Sequence, residues 1–216
     1  MGVDSYSPDS NLVCTPPGGR DSARHPQAFA SLFDINRQTI ALLIDVGATL
    51  PSDRSWSDWG TIGNELAQLD ATQRESLARC PFSLIDAGLR DTPCNSRTDR
   101  VSDEPAQGEL PFAPILLQTR LDHLAQAAYL FAWHLVRSDV ITARLVFAMN
   151  SASASLMAQV TLTDVRVIAQ EQVRNGRVRP RWQNRPDAWF RLIHMARSPP
   201  PDDFATVTTR GLQLFL

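Results

Sequence analysis

Between Ile115 and Val136, Leu117, Leu121, Leu124, Ala128 and Phe131 or Ala132 recur at three- and four-residue steps, the spacing of one buried helix face. The same period predicts further helices on either side. Upstream, Asp34 is placed to cap a helix that carries Ile35, Ile40, Leu42, Leu43 and Val46 and ends near Gly47. Helices follow at about 57–68 and 71–79, the second capped by Asp70. Pro81 cannot continue that helix without losing a backbone hydrogen bond, so Phe82 to Leu89 starts a new, short apolar segment.

Downstream, Ser138 or Asp139 caps a helix through Met149, and Asn150 or Ser151 caps a shorter one with Leu156 and Met157. Thr161-Leu162-Thr163-Asp164 fits a capping box, in which the threonine hydroxyl and the acidic side chain satisfy each other's backbone N–H. In the helix that follows, Val165, Ile168 and Ala169 point inward, with Arg166, Gln170 and Glu171 nearer solvent. After the turn signal Asn175-Gly176, Val178 to Trp182 alternates only long enough for one short strand or extended segment. A last helix starts at Asn184, with Pro186 in its first turn and Trp189, Phe190 and Ile193 on the buried side, and Pro199 to Pro201 end it.

Two stretches lack this periodicity. Residues 1–27 are rich in Ser, Asp, Pro and Gly and read as a disordered tail, because they offer too little apolar burial to offset the entropy of ordering. Residues 92–112, with Pro93, Pro105, Gly108 and Pro111, read as a loop or linker. The expected fold is therefore all-α, with two small helical regions at 28–91 and 113–197 and a C-terminal tail at 198–216.

Charge changes this picture. All 21 basic residues are arginine, which fits either the codon bias of a GC-rich genome or the planar, bidentate recognition of phosphate and carboxylate. Residues 1–165 hold 12 Arg against 19 Asp and Glu, a balance of −7, whereas residues 166–197 hold 8 Arg against Glu171 and Asp187, a balance of +6. Such asymmetry points to an anionic partner for the basic part, or to pairing between the two parts. Cys14, Cys80 and Cys94 form no C-x-x-C pair and read as free thiols. Neither a basic-then-apolar leader nor a run of about 18 apolar residues is present, so a cytoplasmic chain without membrane segments is expected.

Candidate chemistry is concentrated at one corner. Two short helices, about 151–159 and 163–172, separated by a tight turn, have the outline of a helix-turn-helix. Arg166, Gln170, Arg174, Arg177, Arg179 and Arg181 on and after the second helix are the candidate DNA-binding residues, because phosphate contacts need clustered positive charge. The bland reading of the same residues is a charged rim paired with the acidic region. His25, His123, His134 and His194 show no metal-binding spacing, and there is no nucleophile elbow, phosphate loop or dinucleotide fingerprint. No catalytic residue, metal site or cofactor is assigned.

Across about 40 residues a family pattern can be aligned without gaps through Ala132, Leu135-Val136, Asp139, Ala143, Asn150, Ala154, Ala158, Thr161-Leu162, Ile168 and Ala169. This stretch, 132–170, resembles the flagellar transcriptional activator subunit FlhD. The resemblance implies an all-helical, dimerising protein that joins a second subunit, FlhC, to bind promoter DNA, with the helix at 163–172 and the basic stretch after it on the DNA-facing side. The chain departs from that family in being roughly twice as long, in its acidic helical front region and in lacking any cysteine after Cys94. A second set, Arg79-Cys80-Pro81-Phe82 with Arg90-Asp91 and Arg179-Pro180-Arg181-Trp182 with Arg185-Pro186, resembles a proteobacterial family from which no activity follows.

Two functions are consistent with these residues. One is a transcriptional regulator that binds duplex DNA directly or in a complex, as a homo-oligomer; the other is a helical adaptor whose arginine-rich module docks on a protein.

Overall fold

The computed structural model describes residues 25–49, 57–90, 115–183 and 185–198. They form eight helices and one two-residue strand pair: α1 (His25–Thr49), α2 (Ser57–Ala67), α3 (Ala71–Ala78), β1 (Ile85–Asp86), α4 (Ile115–Ser138), α5 (Val140–Phe147), α6 (Ser151–Gln159), α7 (Leu162–Arg174), β2 (Arg179–Pro180) and α8 (Pro186–Arg197). The all-α reading holds. The expected 92–112 loop and most of both expected tails lie outside the described residues.

The long periodic run is α4, whose expected face is buried from Leu117 through Ala132 and forms the centre of the molecule. Helices α1, α5, α6 and α7 all pack on it. Most of the caps fall where the sequence places them. Asp70 and Gln73 form a reciprocal capping box at the start of α3, and Asp139 and Asn150 accept backbone N–H groups at the starts of α5 and α6.

Asp34 is a correction. It lies inside α1, paired with Arg37, because the apolar side of this helix continues upstream of it through buried Leu32, with Phe29 and Phe33 stacked at 6.1 Å. Burial of that face outweighs the local capping preference. Phe190 is a second correction: Trp189 and Ile193 are buried, but Phe190 is 39% exposed on the other side of α8. That helix begins at Pro186 after Arg185, which makes no side-chain cap, and Asn184 lies outside the described residues.

A single apolar cluster runs through both helical regions. At the crossing of α1 and α2 the backbones touch through glycine: a Cβ on Gly63 would stand 2.0 Å from the Leu43 carbonyl oxygen, and one on Gly47 2.9 Å from the Asn64 nitrogen. The regions are also stitched by polar contacts. Strand β1 pairs antiparallel with β2, Ile85 opposite Pro180 and Asp86 opposite Arg179. Within the front region, buried Asn36 on α1 donates its amide to the carbonyls of Ala78 (3.1 Å), Cys80 (3.3 Å) and Phe82 (3.0 Å) and accepts from the Leu84 N–H (2.9 Å). Helix α8 closes the other side on α2 and α3, with Arg197 2.8 Å from Glu65. Among the described residues no single helix is long and apolar enough to cross a membrane.

Candidate functional site

The corner at residues 159–162 is built from local chemistry. Helix α6 ends at Gln159, Val160 is extended, and Thr161 opens α7 by accepting the Asp164 N–H at 3.3 Å while Asp164 accepts from the Thr161 N–H at 3.4 Å. The Trp133 indole on α4 donates to the Val160 carbonyl at 2.8 Å and so pins the turn to the central helix. Both α6 and α7 pack on α4 more extensively than on each other, unlike the mutually packed pair of a compact helix-turn-helix.

Helix α7 buries Val165, Ala169, Gln172 and Val173 and leaves Arg166, Gln170 and Arg174 exposed. Steps of four residues align these three along the solvent side. Arg177 is exposed just beyond, after a turn in which Gly176 takes a left-handed φ of 62° and the Arg177 N–H bonds the Gln172 carbonyl. Among the described residues Arg166, Arg174 and Arg177 form no ion pair.

The other two candidate arginines make contacts within the fold, Arg179 while remaining exposed. Arg179 sits in β2 with its Nε 3.6 Å from the Asp86 carboxylate, its strand partner. Arg181 is part-buried. Its Nη1 donates to the carbonyls of Val146 (2.9 Å) and Ser83 (3.2 Å), and its guanidinium lies 5.3 Å from the centre of the Phe82 ring and 5.0 Å from that of Trp182. Burial lowers its pKa to about 10, which leaves it charged at neutral pH. The physical reason is that two carbonyls and two aromatic faces satisfy a buried guanidinium, an arrangement a linear charge count cannot reveal.

No protein-family model matches the chain, and no curated protein or solved structure does.

Three features of this region escaped sequence reasoning. Leu162 and Val167, at 49% and 50% exposure, share the solvent side of α7 with Arg166 and Gln170. Helix α5 presents Val140, Ile141 and Leu145 outward at 45%, 67% and 68%. At α7, the Tyr129 hydroxyl and the Gln172 amide are fully buried with no hydrogen-bond partner among the described residues. Gly88, at φ +73°, passes so close that a Cβ there would stand 2.9 Å from the Gln172 Oε1.

Cys80 and Tyr129 are buried. Burial pushes the Cys80 thiol far above its ordinary range, and burial, with the Asp86 charge, does the same to the Tyr129 hydroxyl. A cavity of about 120 Å³ between α1 and α4 is lined by Gln38, Leu42, Arg120, His123 and Leu124, with Arg120 paired to Asp45. Among the described residues no group of three His, Cys, Asp or Glu could hold a metal ion.

Proposed function

We propose that this chain is a helical transcriptional regulatory protein of the FlhD-like kind, which binds duplex DNA through the solvent side of α7, directly or within a complex. The observation that carries the reading is the alignment of Arg166, Gln170 and Arg174 on that side, followed by Arg177, with all three arginines outside any described ion pair. Guanidinium groups spaced along one helix suit the repeating phosphates of a duplex. The resemblance of residues 132–170 to FlhD adds a DNA-facing role for the same helix. Arg179 and Arg181 belong to the scaffold in this reading. It involves no catalytic step and no cofactor, and it puts the protein in the cytoplasm as a homo-oligomer.

Fluorescence anisotropy of the full chain with labelled duplex, over a series of salt concentrations, tests it. Each phosphate contact contributes about −0.9 to the log–log salt slope. The triple variant Arg166→Glu, Arg174→Glu, Arg177→Glu is expected to lose binding while keeping its helical circular dichroism. Absence of binding by the wild type at low salt overturns the reading.

A second reading, a protein–protein adaptor, is favoured by the outward Val140, Ile141 and Leu145 on α5, since exposed apolar side chains grouped on one helix often serve protein contacts. A complex that survives nuclease treatment and is lost in Ile141→Asp, Leu145→Asp supports it.

A further inference from the structure

The solvent side of α7 is not uniformly basic. At 3.6 residues per turn, Leu162, Thr163, Arg166, Val167, Gln170 and Arg174 fall within roughly 140° of its circumference, and all six are exposed. Gln170 lies near the middle of that arc. Val167 is its neighbour three residues earlier, and Leu162 precedes Arg166 by one turn.

Phosphate binding alone explains the arginines but neither the glutamine nor the two half-exposed aliphatic side chains. In the major groove each of these residue types has a definite complement. A glutamine amide bonds an adenine edge at N6 and N7, and an aliphatic side chain packs against the 5-methyl group of thymine. Both complements belong to the same base pair. The N-terminal part of a helix that enters the groove is the part that reaches base edges; Leu162 and Val167 lie in the N-terminal half of α7, and Gln170 follows just past its midpoint.

We infer that α7 reads A·T base pairs in the major groove, with Gln170 on adenine, Val167 and Leu162 on thymine methyl groups, and Arg166 and Arg174 on flanking phosphates. This rests on the DNA-binding reading above and adds a base preference to it. Asp164 is engaged by the Thr161 hydroxyl at 2.6 Å within the cap, and Glu171 is half-buried, so the two acids of α7 border the reading side.

The test is selection of duplexes from a random library by the full chain, followed by anisotropy with the selected duplex and with the same duplex carrying deoxyuridine in place of thymidine. The expected result is enrichment of A·T pairs and severalfold weaker binding of the deoxyuridine duplex. In Val167→Ala that difference narrows, Leu162 keeping its own methyl contact; in Gln170→Ala discrimination at one adenine falls by roughly 5- to 100-fold. Both side chains are exposed, so circular dichroism should be unchanged in both variants. Salt-dependent binding with no A·T enrichment and equal affinity for both duplexes overturns the base reading and leaves phosphate binding standing. No binding at any salt concentration overturns both.

Discussion

Arg181 donates to the Val146 carbonyl oxygen at 2.9 Å, so a residue from the arginine-rich segment holds the end of α5. The same Nη1 reaches Ser83 in the front region.

Loss of this side chain would remove a charge-assisted pair of bonds and take the guanidinium from the Ser83 carbonyl, while the Val146 carbonyl keeps the Ser83 N–H at 3.0 Å. Arg181→Ala is expected to destabilise the fold by roughly 2–4 kcal/mol. Arg166→Ala, on the open side of α7, should stay within about 0.5 kcal/mol of wild type. Urea midpoints of the two variants distinguish a scaffold arginine from a surface one, and equal midpoints would contradict the assignment.

The glycines at the α1–α2 crossing give opposite outcomes. Gly63→Ala drives a methyl group into the Leu43 carbonyl and should cost more than about 3 kcal/mol, since backbone must move. A Cβ on Gly60 would meet nothing within 4 Å, and Gly60→Ala should stabilise α2 by about 0.5–1 kcal/mol. Thermal melts of both variants suffice to check this.

At the corner, Thr161→Ala removes the hydroxyl that caps α7 and should cost about 1 kcal/mol. Leu162→Ala would cost roughly 2–5 kcal/mol were the side chain buried. At 49% exposure the expected loss is under about 1 kcal/mol. Denaturant melts in which Leu162→Ala is the worse of the two would place Leu162 in the core.

Arg37 holds the Glu75 carboxylate below its ordinary pKa of 4.5, chiefly through the hydrogen bond at 2.8 Å. The folded value lies below the unfolded one, so the stabilisation is present above about pH 4.5 and is lost as pH falls through the folded value. Both side chains are substantially exposed, which limits the contribution to under about 1 kcal/mol. Glu75→Gln should therefore differ from wild type at about pH 7 and approach it as pH falls through the folded value, and added salt should narrow the gap at neutral pH. A gap that persists unchanged in acid would point to packing instead.

Helices and caps were legible because their causes are local. The apolar steps of α4, the boxes at Asp70 and Thr161 and the caps at Asp139 and Asn150 each depend on residues within a turn or two. Arg166, Gln170 and Arg174 were legible for the same reason, since α7's own periodicity sets their side. What was hidden depends on distant contacts. Asp34 looks like a cap until the buried face of α1 upstream is known, and Arg181 looks like its exposed neighbours until Ser83 and Val146 are brought beside it. The exposed Leu162 and Val167 invert a rule of thumb about aliphatic residues, which no pattern in the chain announces.

Asn36 reaches from α1 to four backbone groups between Ala78 and Leu84, and that segment continues into the strand paired with β2. One carboxamide thus stands in for the neighbouring strand this stretch would otherwise need. Cleaved anywhere between residues 91 and 112, the chain would leave β1 with its Asn36 support in one piece and β2 in the other, with Arg181 parted from Ser83 and Arg197 from Glu65, and the two pieces are expected to recombine when mixed, as complementary fragments of one folding unit.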